Sequence, residues 1–182
     1  MKGSRGVKKT LMWCLLLMPA ITHAQYEDNP LNGLRWATLS AGANTADNIS
    51  WQACAAASIR GSTMLTQLRV AYSQELIEAP DDTCTAMKNK ITEIGILWGD
   101  GFGGRHWFVT GTLGFGLNVR TYCARAEYGG FRSVTAVTIG IPAHIEAGIM
   151  LDKKSAITMS IIGNWNFRQP YAGALLGYTR RF

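Results

Sequence analysis

His144 and Glu146 stand two residues apart in a run that alternates apolar with polar residues. In extended chain their side chains therefore leave the same face. A carboxylate beside an imidazole can orient the ring for general-base work. Arg60, Arg69, Glu93, Asn118 and Arg120 fall on the polar faces of other alternating runs and complete a set of mixed charge. Such charges, once enclosed, need partners, so mutual pairing is the first expectation and chemistry the second. No metal site or cofactor is implied, because the histidines beyond the first 24 residues are only His106 and His144 and the cysteines show no paired spacing. The run Gly99-Asp100-Gly101-Phe102-Gly103-Gly104 is glycine-rich. A phosphate cradle needs strand, loop and then helix, and no helical pattern follows, so the run is read as a hairpin turn.

The element that carries His144 and Glu146 is a strand. Val137, Ile139, Ile141, Ala143, Ile145, Ala147, Ile149 and Leu151 lie on one face, against Thr138, Gly140, Pro142, His144, Glu146, Gly148 and Met150. Period two means successive side chains on opposite faces. After Asp152-Lys153-Lys154-Ser155 the pattern resumes, with Ile157, Met159, Ile161, Trp165 and Phe167 opposed to Thr158, Ser160, Asn164 and Asn166. Six further runs read the same way: Leu34–Asn44, Trp51–Arg60, Thr63–Leu76, Asn89–Trp98, Arg105–Cys123 and Tyr171–Phe182. The first two are diluted by Ala, Ser and Thr, so their faces are ambiguous. For Trp51–Ile59 an Ala-rich helix is the alternative.

Residues 1–24 read as a cleaved signal peptide. Lys2, Arg5, Lys8 and Lys9 precede the apolar run Leu11–Ile21, and Thr22-His23-Ala24 offers a small-residue cleavage site. The run falls short of the roughly 20 apolar residues of a spanning helix. Four of the 18 basic residues and none of the 12 acids lie in this segment, so its loss lowers the net charge from +6 to +2. The basicity of the whole chain is therefore no argument for a nucleic-acid partner, which would need clustered Lys and Arg in residues 25–182.

An exported domain whose strands are apolar along one whole face fits a lipid surround. In hydrocarbon every backbone N–H and C=O must be paired, so the sheet must close. The expected fold is all-β, an eight-stranded antiparallel transmembrane up-and-down barrel over residues 25–182. Connector lengths give it a direction. With both ends of the barrel domain in the periplasm, the turns at Arg60–Ser62, Gly99–Gly104 and Asp152–Ser155 are periplasmic, and the longer Ile77–Lys88 and Ala124–Arg132 are outside. Trp98, Trp107, Tyr178 and Phe182 would then girdle one interface, and Tyr72, Trp165 and Phe167 the other. A soluble sandwich burying these rings is the competing fold.

On these features the chain resembles the small eight-stranded outer-membrane β-barrel proteins, the OmpA-barrel and OmpX-like group. The resemblance rests on strand number, apolar faces and the aromatic Phe182. It implies residence in the bacterial outer membrane, with membrane lipid as surround. It also implies that the last strand is read by the barrel-assembly machinery, where Phe182, Tyr178, Leu176 and Ala174 match the group's pattern and Arg180 departs from it. The expected role is structural or surface-interacting, as a monomer and without enzymatic activity. A narrow channel and a lipid A-modifying enzyme are the alternatives.

Three cysteines lie beyond residue 24. Cys84 and Cys123 both fall at the outer loops, in an oxidising compartment, and are expected to bond; Cys54 is expected to fill the interior. Oxidised protein should yield a Cys84–Cys123 cross-linked peptide in a non-reducing mass-spectrometric digest. Its absence would count against the loop placement.

Overall fold

The computed structural model describes residues 31–45, 49–76, 89–125, 131–167 and 170–182, with backbone alone at 125 and 131. Residues 1–30, with the segment read as a signal peptide, residues 77–88 with Cys84, and residues 126–130 lie outside them. Eight strands follow in order: β1 Arg35–Thr45, β2 Ile49–Arg60, β3 Leu65–Glu75, β4 Lys90–Gly103, β5 Trp107–Arg125, β6 Phe131–Met150, β7 Ser155–Trp165 and β8 Tyr171–Arg181. Each pairs antiparallel with the next, and β8 pairs with β1, so the sheet is a closed barrel. Trp51–Ile59 is strand and not helix, in full register with β1 and β3.

The register sets the barrel's shape. A step across each pair from Arg35 passes Ile59, Thr66, Trp98, Leu113, Ala143 and Gly163 to Ala172. Ala172 lies one residue beyond the Gly173–Asn44 pair, and its carbonyl accepts a hydrogen bond from Thr45 Oγ1 at 3.3 Å. One circuit thus climbs about ten residues, which tilts the strands by roughly 35–45°.

Alternation divides the strands cleanly. On β6, Val137, Ile139, Ile145 and Ile149 are 63%, 71%, 52% and 69% exposed, whereas His144 and Glu146 between them are buried. The ambiguous faces resolve too. Trp36, Thr38, Ser40 and Asn44 of β1 and Gln52, Cys54, Ala56, Ser58 and Arg60 of β2 point inward.

Three sequence expectations are corrected. The glycine run is not a turn: β4 continues through it, with Gly99 to Gly103 paired to Thr112 to Phe108, and the chain reverses at Gly104–His106. Small residues hid the alternation there, because glycine has no face. Trp98 consequently lies inside β4, and Phe102 meets Trp107 at the rim, edge to face at 5.8 Å. β6 also starts at Phe131, well before the alternation at Val137, and β5 spans Trp107–Arg125, shifted from Arg105–Cys123 without being longer. Their ladder runs on to Arg125–Phe131, while β4 reaches only Thr121 and β7 pairing begins at Ile141. A two-stranded ribbon therefore stands beyond the barrel wall. Cys123, near its tip, is disulfide-bonded, and Cys54 is a buried free thiol.

Pro142 has no N–H, and the β5–β6 ladder skips Gly114 and Phe115 opposite Pro142 and Ile141. At Gly114 a Cβ would lie 2.0 Å from the Ile96 carbonyl oxygen, whereas at Gly111 it would meet nothing within 4 Å. Gly114→Ala should therefore destabilise the barrel by about 1–3 kcal/mol, the cost of overpacking, and Gly111→Ala should change little. Urea titration followed by the folded-to-unfolded gel shift compares them.

Candidate functional site

The inward faces meet in a lumen wide enough only for side chains, as eight strands dictate. Its floor, at the end of the short turns, is apolar. Leu31 enters from the segment before β1 and is buried with Phe108 and Ala156, flanked by Leu34 and Met150. Gly33, at φ 71°, makes the turn that inserts Leu31, and its N–H donates to the Arg60 carbonyl at 3.1 Å. Gly148 leaves room for the Phe108 ring, whose Cε1 would lie 2.3 Å from a Cβ there. Trp36 lies 6.4 Å from that ring between centroids, and the Arg181 guanidinium stands 5.6 Å above it.

Arg60 closes the floor. Its Nε donates to Asn32 Oδ1 at 3.0 Å and its Nη1 to the Gly101 carbonyl at 2.9 Å, and it pairs with the Asp100 carboxylate. Asp100 was hidden within the presumed glycine turn, so sequence reasoning missed it.

Above the floor lie the two carboxylates and the histidine. Arg69 and Glu93, both fully buried, form an ion pair between β3 and β4. Arg69 Nε donates to Glu93 Oε1 at 2.9 Å, and its Nη1 and Nη2 reach across the lumen to the carbonyls of Ala143 and Gly163 at 2.8 and 3.3 Å. Glu93 Oε2 accepts from Asn164 Nδ2 and from the Tyr171 hydroxyl, each at 2.5 Å. Tyr171 lies an odd number of residues from Phe182, so parity alone would have placed it inward.

Glu146 has no basic partner among the described residues. Its Oε1 accepts from Thr38 and Thr179 at 3.0 and 2.8 Å, joining β6 to β1 and β8. His144 Nδ1 sits 2.9 Å from Gln67 Oε1, which also accepts from Thr112, while Gln67 Nε2 donates to Ser58. No described hydroxyl reaches His144 Nε2, so no nucleophile–base pair is formed there. Asn118 is buried nearer the loop end, and the half-buried Arg120 holds its guanidinium 4.8 Å from the Tyr122 ring centroid. Of the seven polar residues singled out in the sequence, the structure joins Arg69 directly to Glu93. The others are distributed along the lumen. Among the described residues no three His, Cys, Asp or Glu side chains converge on a metal position.

Packed among these polar groups is a buried cluster of Cys54, Ala71, Ile91, Ile162, Tyr171 and Leu175, in which Ala71 pairs across the ladder with Glu93 and Tyr171 bonds its carboxylate. Next to it Asn44 Nδ2 donates to Gln52 Oε1 and Ser73 Oγ at 2.9 and 2.8 Å. The lumen is thus apolar at its floor, with polar and apolar side chains interleaved above it.

This architecture is the fold of the small eight-stranded barrels, and solved outer-membrane proteins share it. Neisserial surface protein A superposes with a TM-score of 0.58 at 11% identity, over 82% of this chain and 96% of that one. Ail, the attachment invasion locus protein of Yersinia pestis, gives 0.57 at 10% identity, over 83% and 99%. The N-terminal β-barrel domain of Pseudomonas aeruginosa OprF gives 0.51 at 10% identity, over 81% and 97%. At these identities the likeness is one of fold. No protein-family model matches the chain, and no curated protein matches it in sequence.

Breaking a buried ion pair from one side strands a charge and costs about 3–5 kcal/mol. Arg69→Met and Glu93→Gln should each destabilise the barrel on that scale in urea unfolding. The double variant should lose less than the two singles combined, because removing both partners leaves no uncompensated buried charge. Strict additivity would show that the pair is not the unit of stability.

Proposed function

We propose that this chain is a monomeric bacterial outer-membrane barrel with a structural and surface-interaction role. The observation that carries this reading is the contrast between its two ends. One end has short turns and a plugged floor, and the other raises the β5–β6 ribbon beyond the wall. A ribbon whose β6 edge pairs with no β7 residue before Ile141 offers backbone donors and acceptors to another molecule. Cys123 is disulfide-bonded near the ribbon's tip, and in this reading its partner is Cys84, which ties the ribbon down.

Several features support the membrane setting. The outward faces form an apolar belt, including Leu39, Phe115, Ile139, Met159 and Leu176, each more than half exposed. Contiguous apolar surface on this scale marks a lipid or protein contact. Removal of residues 1–24 on export precedes assembly in this reading, and the outward Tyr178 and Phe182 of the last strand serve the assembly machinery. A non-enzymatic role is favoured by the positions of His144 and Glu146, mid-lumen and bonded to Gln67 and to two threonines. The Arg69–Glu93 crosspiece and the Leu31 plug favour a sealed lumen over a pore.

The chain should fractionate with outer membranes, migrate faster unheated than heated on gels, and lose an epitope inserted between residues 126 and 130 to protease on intact cells. A soluble product without a heat shift would overturn the reading. Single-channel steps in planar bilayers would replace the sealed lumen by the channel alternative.

A further inference from the structure

Arg180 breaks the apolar register of β8, and neither the lumen nor the ribbon employs it. It faces outward between Tyr178 and Phe182, at the end of the barrel that carries the short turns. Its cross-strand neighbours are Ala37 on β1 and Ser155 on β7. Arg35, two residues before Ala37, is therefore its diagonal neighbour, at about 7–8 Å between strands. Lys154 precedes Ser155, and its carbonyl accepts the Arg181 N–H at 2.7 Å. Three adjacent strand ends thus bring Arg35, Lys154 and Arg180 to one stretch of rim, all exposed.

The acid nearest this stretch is already engaged. Asp152 Oδ1 accepts the N–H groups of Lys154 and Ser155 at 2.6 and 2.9 Å. Its carboxyl is held below the usual range chiefly by the Lys154 N–H, with help from Ser155 and the Arg180 charge. The carboxylate neutralises part of the cluster and leaves it cationic. Immediately along the wall lie Leu39, Ile157, Tyr178 and Phe182, exposed at 67%, 54%, 44% and 77%. The Tyr178 hydroxyl donates to Ser155 Oγ at 2.8 Å, fixing the ring between the cations and the apolar belt.

We propose that Arg35, Lys154 and Arg180 form a binding site for the phosphate of an anionic glycerophospholipid in the leaflet that meets the turn-bearing rim. The site rests on the membrane reading given above. Its chemistry is two-part. Guanidinium groups present paired N–H donors that match phosphate oxygens, and the belt beside them takes the acyl chains. A free phosphate would have only exposed, salt-screened cations to hold it. A lipid adds the apolar contact, which is why a lipid is the occupant.

The test uses the full exported chain folded in mixed micelles of phosphatidylglycerol and phosphatidylethanolamine, with bound lipids counted by native mass spectrometry. The wild type should retain phosphatidylglycerol preferentially. Arg35→Gln and Arg180→Gln should each cut that preference about fivefold, the scale of one basic residue at an anionic surface. Arg180→Lys should keep most of it. Arg105→Gln, at the turn across the ring between β4 and β5, should leave it unchanged. Absence of a preference in the wild type would overturn the site, as would an equal loss in Arg105→Gln, which signals diffuse charge. Displacement of the lipid by millimolar inorganic phosphate would make it a free-anion site and also overturn it. A heat-shift gel on each sample separates the two readings. A shifted barrel without preference removes only this site, whereas a chain with no shift removes the membrane reading and the site together.

Discussion

Closure of the backbone ladder is the constraint on which everything else in this molecule depends. A sheet surrounded by hydrocarbon leaves no solvent to pair an open edge, and the β1–β8 ladder from Trp36–Arg181 to Asn44–Gly173 removes that edge. Closing eight strands with a climb of about ten residues per circuit fixes the tilt and the bore. The bore in turn fixes what the inward residues can be. Side chains from opposite walls must meet, so Arg69 of β3 reaches carbonyls on β6 and β7, and Glu146 of β6 reaches hydroxyls on β1 and β8.

The ordering inside follows from burial energetics rather than from any single strong contact. A charge enclosed by the wall must find a partner of opposite sign or several dipoles. Arg69 and Glu93 take the first route. Glu146 takes the second, with Thr38 and Thr179 on one oxygen. The Leu31–Phe108 cluster closes the floor, and the cluster that includes Ala71 and Tyr171 packs beside the Glu93 carboxylate. The arrangement braces all the walls from within, which an apolar filling of the same volume would do less specifically.

Much of this was legible in the sequence, because period two writes inside and outside directly. The outward rows of β3, β5, β6 and β7, and the inward placement of Arg69, Glu93, His144 and Glu146, follow from parity alone. Parity fails where side chains are too small to show a face. That is why Gly99–Gly103 read as a turn, with Asp100 lost inside it, and why the Ala-rich β2 was ambiguous between strand and helix. Partners across the lumen are not legible at all. The distance from His144 to Gln67, or from Glu146 to Thr38, depends on the stagger accumulated over several ladders, which no local pattern encodes. The start of β6 escaped for a related reason: over Phe131–Ala136 the apolar alternation is absent while the hydrogen-bonding to β5 continues.

The Leu31 plug carries a consequence for how the chain is tied together. Its seat consists of Phe108 from β5 and Ala156 from β7, and the turn that presents it is tied to the Arg60 backbone of β2. These elements belong to distant parts of the chain, yet residues 31–34 touch them all. The plug therefore couples the segment before β1 to strands in the second half of the sequence, so a change at Leu31 is felt at β5 and β7 as much as at β1.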